Sequence, residues 1–266
     1  PTADDNCIIF MDQPADMMPG PHCVWGDPEA ETTVVIFGGS HSEPWLIPLD
    51  QLGREHGFKV MPIVRQACPL ILDDLDTVSP ECAEWSRLAF NLIVELHPDL
   101  AVSTATRPEG RAGEGSPGPD IVPYSYTTVW EELQANDIPF LGLRDNPWVF
   151  DREGDHMDPN ECLIAGNDFE ACSTLRETVY GDSDPSAEYL FPENKQWGLN
   201  TADWYCGEKL CPPIIGNVYV YRDQNHVSNA FAATTAPLIW AKLREIFTAL
   251  GIPVTGIEDA PKLDPE

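Results

Sequence analysis

Apolar and polar positions along the chain alternate between two periods. Thr33-Val34-Val35-Ile36-Phe37 is a run of β-branched and aromatic residues, which predicts a buried strand. Strands are likewise predicted at Lys59–Val64, Asp99–Thr104, Ile138–Leu143 and Val218–Tyr221. Between them the period becomes helical. Trp45, Leu46, Leu49 and Leu52 recur at helical spacing within 43–57, and Leu88, Leu92 and Leu96 mark one face of 83–97. Residues 127–136 predict a short helix, and Ser228 is placed to cap a last one running to Leu250. Pro44 suits a first turn, Pro48 predicts a bent start, and Pro237 kinks or divides the last helix. Gly57 and Gly251 close their helices. Strands alternating with helices predict an α/β fold of three layers, α/β/α, around a doubly wound parallel sheet of about five strands.

The periodic part is bounded by less regular chain. Residues 1–30 are proline-rich and read as an irregular arm pinned by one disulfide; 31–251 form the domain; 252–266 read as a flexible tail. Residues 107–119 lack any periodicity and follow the third strand, so they read either as a lid or as a plain flexible excursion. Residues 145–215 are polar and interrupted and read as an irregular insertion bearing four cysteines.

Charge narrows the partners. With 15 Lys+Arg against 44 Asp+Glu in 266 residues, the formal net charge is −29. Such a chain repels nucleic acid and anionic lipid headgroups. Its 42% of hydrophobic residues suffices for a core, and no apolar run approaches the roughly 20 residues that span a bilayer. The eight cysteines allow about 105 connectivities. Their spacing is local, and the expected pairing is the sequential one: Cys7 with Cys23, Cys68 with Cys82, Cys162 with Cys172, Cys206 with Cys211. There is no Cys-x-x-Cys, and no histidine sits beside a cysteine at zinc spacing, so disulfides and an oxidising compartment are favoured and no metal is expected. Residues 151–158 are acidic enough to suggest calcium but lack a regular ligand order. The opening Pro1–Asn6 is no signal peptide, and the chain reads as a domain excised from a larger one.

The candidate chemistry lies at Gly38-Gly39-Ser40-His41 and at Asp223-Gln224-Asn225-His226. A serine in a glycine turn after a strand sits at the carboxyl edge of the sheet, where its own N–H can face an oxyanion. An aspartate three residues before a histidine can orient the imidazole toward it, as in a Ser-His-Asp triad. The plainer alternatives are that Ser40 caps a helix and that His226 is a surface histidine. His41 reads as a pocket or turn residue. Among the eight tryptophans, Trp148 is the first candidate for a glycan-facing ring.

Together these motifs resemble the SGNH/GDSL hydrolase superfamily, and more narrowly the extracytoplasmic SGNH domain fused to membrane acyltransferases of acyltransferase family 3. That group carries Gly-Asp-Ser-His, an Ala-Cys-Pro loop after the second strand (here Ala67-Cys68-Pro69), and Tyr-Arg-Asp-x-x-His-Leu-Ser (here Tyr221-Arg222-Asp223-Gln224-Asn225-His226-Val227-Ser228). The resemblance implies an SGNH/flavodoxin-like fold, with Ser40 as nucleophile, His226 as base and Asp223 as its partner. It implies a pocket of Gly39, Ser40, His41, Ala67, Thr106 and Arg107, and no cofactor. Two departures stand out. Gly39 replaces the usual aspartate, and Ser103-Thr104-Ala105-Thr106-Arg107 replaces the motif whose asparagine donates to the oxyanion, leaving Thr106 or Arg107 to donate and a slow enzyme as the consequence.

The function implied is a monomeric extracytoplasmic acyltransferase or esterase domain. It would move an acyl group, acetyl by preference, onto or off a cell-envelope glycan, with a fused membrane domain delivering it. A non-catalytic glycan-docking module of such an acyltransferase is the alternative, and a stand-alone secreted esterase a third reading.

Overall fold

Side-chain alternation along the strands decides the layers. A computed structural model describes residues 6–110 and 115–256. β1 (Ile8–Ile9), β2 (Trp25–Gly26), β3 (Thr33–Gly38), β4 (Lys59–Arg65), β5 (Leu100–Thr104), β6 (Phe140–Leu143) and an edge strand Gln196–Leu199 form one sheet. Its order is β1-β4-β3-β5-β6-edge strand, all parallel, and β2 joins β4 antiparallel. Val34 and Ile36 of β3 enter one core with α1 (Leu46–His56) and the C-terminal helix Ala236–Leu250. Val35 and Phe37 enter the other with α2 (Pro80–Leu96) and α3 (Tyr124–Ala135). The two-residue period thus builds the three predicted layers.

Connectivity then selects one edge. From β3 the chain passes through α1 to β4, and from β4 through α2 to β5 on the far side of β3. The order reverses around β3, so the turn that leaves β3 opens onto the crevice of a doubly wound sheet.

The helix punctuation behaves locally. Glu43–Trp45 is a 3₁₀ turn and α1 begins at Leu46, which puts Pro48 in its first turn, where a missing N–H forfeits no intrahelical bond. Pro237 lies in the first turn of Ala236–Leu250, divided at Thr235 from the short helix Asn229–Thr234 that Ser228 caps. α2 begins at Pro80, three residues before its periodic face, because Ser79 Oγ accepts from the Cys82 N–H.

One strand assignment is corrected. Val218–Tyr219 pairs antiparallel with Ile214–Ile215 in a separate ribbon and is not the fifth strand of the sheet. That place belongs to Gln196–Leu199, within the stretch read as an irregular insertion. Its position is set by partners rather than by composition: the buried Gln196 donates to Trp130 O at 2.7 Å, and Phe140 N donates to Lys195 O at 2.9 Å. The N-terminal arm contributes β1 and β2.

Disulfides join Cys7–Cys23, Cys68–Cys82, Cys162–Cys172 and Cys206–Cys211. Among the described residues no helix is long and apolar enough to cross a membrane. The tail is tied as far as Thr255, whose N–H donates to His56 O. The flexible character expected beyond 256 lies outside the described residues, as do residues 1–5 and 111–114.

Gly53 shows packing overriding helix propensity. A Cβ there would lie 2.4 Å from Phe58 O and 2.7 Å from Gly26 Cα, where α1 meets β2 backbone to backbone. In an open helix, glycine to alanine gains about 1 kcal/mol. Here Gly53→Ala is expected to lose about 1–3 kcal/mol of stability by overpacking, read from denaturant unfolding curves. A stabilised variant would show that the helix moves away freely.

Candidate active site

The β3 turn needs glycine at one of its two positions. Gly38 has φ +122, and a Cβ there would lie 2.7 Å from Ser42 Oγ and 3.0 Å from Ser103 Oγ. Gly39 carries no such demand: a Cβ there meets Cys68 and Pro69 backbone at an ordinary 3.5 Å. Ser40 does not cap a helix. Its Oγ lies 2.8 Å from His226 Nε2. His226 Nδ1 in turn lies 2.9 Å from both oxygens of Asp223.

Asp223 and His226 reach this edge without a sheet strand. Residues 221–227 form a closed loop, in which Arg222 N donates to His226 O at 2.8 Å and Tyr221 bridges Val227. The segment that follows β6 holds that loop against the sheet: Asn146 Nδ2 donates to Asn225 O at 2.7 Å, and Val149 N to Gln224 O at 2.7 Å. Inside the loop, Asp223 Oδ1 accepts from the N–H of Asn225 and of His226, at 3.0 and 2.9 Å.

Burial alone would raise the Asp223 carboxyl. The hydrogen bond from the His226 ring and the two backbone N–H groups outweigh it and hold the carboxyl far below its ordinary range. A depressed carboxylate contributes stability above its unfolded value of about 3.9 and loses it as pH falls through the folded value. The stability deficit of Asp223→Asn against wild type is therefore expected above about pH 4 and to shrink in stronger acid, as paired thermal melts would read.

A cleft of about 250 Å³ opens at Ser40. Gly39, His41, Ala67, Thr106, Arg107 and His226 line it, and so do Tyr126, Asp145, Trp148 and Arg222. The Ala67–Pro69 loop that follows β4 is tied to α2 by Cys68–Cys82, and it holds Ala67 at φ +57. Gln66 N donates to Ile9 O and Cys68 N to Arg65 O; among the described residues the Ala67 N–H meets no acceptor.

Thr106 lines the cleft, and its buried hydroxyl accepts from Asp145 N at 2.9 Å, which braces the wall. Arg107 reaches the cleft with its guanidinium against the Tyr126 hydroxyl. Trp148 is a buried wall rather than an open platform: it stacks on His41 at 5.2 Å, and its Nε1 donates to Asp145 Oδ2 at 3.3 Å. Acidic groups in 151–158 serve the backbone, since Asp151 Oδ1 accepts from Glu153 and Asp155 N–H, and Asp158 Oδ1 caps a short helix. The 107–119 stretch is closed at its base by paired bonds between Arg107 and Ile121.

Asp145 is the residue that motif reading passed over. It accepts from His41 Nδ1 at 2.9 Å beneath the cleft. It stands two residues after β6 at the carboxyl edge, the same kind of position that marks Ser40 after β3.

The fold is thus a three-layer α/β domain in which a serine, a histidine and an aspartate are hydrogen-bonded in series at the crevice. Residues 6–241 match the family described as "SGNH domain (fused to AT3 domains)", and the chain belongs to that family. Among solved structures it is similar to the periplasmic domain of a lipopolysaccharide acetyltransferase from Salmonella ser. Paratyphi A. The TM-score is 0.54 at 12% identity, over 80% of this chain and 84% of that one. A Bacteroides fragilis protein assigned as an acylhydrolase aligns over 84% of this chain and 90% of its own, at 14% identity, with a TM-score of 0.46. The first likeness supports the fold alone, and the second is too low to carry weight. No curated protein sequence matches the chain.

Proposed function

We propose that this domain performs serine acyl chemistry, acyl transfer or ester hydrolysis, with Ser40 as nucleophile, His226 as general base and Asp223 as orienting carboxylate. The observation that carries the reading is the unbroken series Ser40 Oγ to His226 Nε2 at 2.8 Å and His226 Nδ1 to Asp223 at 2.9 Å. The carboxylate requires the proton on Nδ1, so Nε2 is free to accept the Ser40 proton. Ser40 Oγ then attacks the acyl carbonyl. The protonated His226 returns that proton to the departing group, leaving an ester on Ser40. In the second half, an acceptor hydroxyl or water gives its proton to His226 and attacks the ester, and Ser40 leaves with the proton.

For the oxyanion we assign the N–H groups of Ser40 and Ala67; the αL backbone at Ala67 leaves its N–H without an acceptor among the described residues. The turn after β5, Ser103–Arg107, carries no asparagine, and a modest rate is expected. The four disulfides favour an oxidising, extracytoplasmic setting. Family membership favours fusion to a membrane acyltransferase domain that supplies the acyl group, acetyl by preference, for an envelope glycan.

The test is intact mass after exposure to a fluorophosphonate. One adduct mapping to Ser40, absent in His226→Ala, is expected. Folded protein without an adduct would overturn the reading in favour of a docking module.

A further inference from the structure

Beside the Ser40–His226–Asp223 series stands a second imidazole–carboxylate pair, which that chemistry leaves unused. His41 Nδ1 lies 2.9 Å from Asp145 Oδ1. The buried Asp145 carboxylate also accepts from Asn146 N at 2.9 Å and Trp148 Nε1 at 3.3 Å. A carboxylate only accepts, so neutral His41 carries its proton on Nδ1 and presents Nε2 as an acceptor. Among the described residues Nε2 has no hydrogen-bond partner, although the ring lines the Ser40 cleft. Stacking on Trp148, 5.2 Å away and tilted by 21°, fixes the ring plane, and the His226 ring centroid is 4.9 Å away. A residue that only stiffened the turn would need neither the buried carboxylate nor the open nitrogen.

Resting on the Ser40 reading, we infer that His41 is an acceptor-binding residue that selects vicinal diols, the hydroxyl pattern of a sugar ring. One hydroxyl gives its proton to His226 and attacks the Ser40 ester. Its neighbour donates a hydrogen bond to His41 Nε2, and two imidazoles this close suit oxygens on adjacent carbons. The bond that forms joins the acyl carbon to the acceptor oxygen; the bond that breaks joins it to Ser40 Oγ, which recovers the proton from His226.

The experiment uses p-nitrophenyl acetate as donor and measures transfer against hydrolysis with 1,2-propanediol and with 1-propanol. Wild type is expected to favour the diol by about tenfold, the worth of one well-placed hydrogen bond. His41→Phe, which keeps a ring on Trp148, and His41→Ala are both expected to abolish that preference, read as the ratio of diol to propanol transfer within each variant so that any change in acylation rate cancels. An equal preference in wild type and variants overturns the inference. A wild-type burst that survives Ser40→Ala instead overturns the Ser40 reading itself.

Discussion

Asp223→Asn is expected to lower ester turnover by about four orders of magnitude while the protein stays folded at neutral pH. Asparagine keeps an oxygen for the Asn225 and His226 N–H groups, which bond Asp223 Oδ1 at 3.0 and 2.9 Å. What is lost is the charge that stabilises protonated His226 and holds the proton on Nδ1. The measurement is steady-state hydrolysis of p-nitrophenyl acetate beside a thermal melt. The expected result is a fall in kcat with KM little changed, because the interaction gains strength only as charge develops. An unfolded variant that retains activity per folded molecule would overturn the triad. Ser40→Ala and His226→Ala should cost at least as much, and the double variant little more, because the group acts as a unit.

The largest stability effect is expected at Arg144. Its Nε and Nη2 grip the two oxygens of Asp120 at 2.9 and 2.7 Å, its Nη1 lies 3.4 Å from Asn200 Oδ1, and its guanidinium lies 4.4 Å above the Tyr180 ring. Both side chains of the pair are almost fully buried. This clamp ties the base of the 107–121 excursion to the end of β6, one residue before Asp145. Burial pushes the Asp120 carboxyl above its ordinary range, and the arginine pulls it back. Arg144→Met removes the pull and leaves a buried unpaired carboxyl, which costs about 3–5 kcal/mol. For a chain of this size that lowers the melting temperature by roughly 10 °C. A raised carboxyl binds its proton more tightly when folded, so the penalty grows as pH rises from about 4 through the folded value. The variant should therefore be less impaired in mildly acidic than in mildly alkaline buffer, and adding Asp120→Asn should recover part of the loss. A deficit below 1 kcal/mol would mean that water reaches the pair.

The parts legible in the sequence are those governed by near neighbours. The unbroken β-branched and aromatic run at Thr33–Phe37 names a strand buried on both faces, and the proline and glycine positions mark helix turns; both depend on backbone geometry within a few residues. The Gly-Gly-Ser-His and Asp-x-x-His motifs were legible for the same reason, since each is compact. The sequential disulfides join residues at most 16 apart.

Long-range pairing was not legible. Val218–Tyr221 has the composition of a strand yet forms a side ribbon, whereas Gln196–Leu199, with a glycine and a glutamine, completes the sheet because β6 offers it an edge. Thr106 stands at the cleft after β5, and the partner of its hydroxyl, the Asp145 N–H, comes from 39 residues away. Asp145 itself, 104 residues from His41, carried no motif to announce it. The sequence alone therefore determined the layers, the glycine-closed helix ends at Gly57 and Gly251 and the two compact motifs that carry the candidate serine, histidine and aspartate, because those follow from near neighbours in the chain. Only the tertiary structure decided that these three groups meet, which strand closes the sheet, and which polar groups remain open in the cleft. Each of those depends on hydrogen-bond partners that the fold brings together from distant parts of the chain.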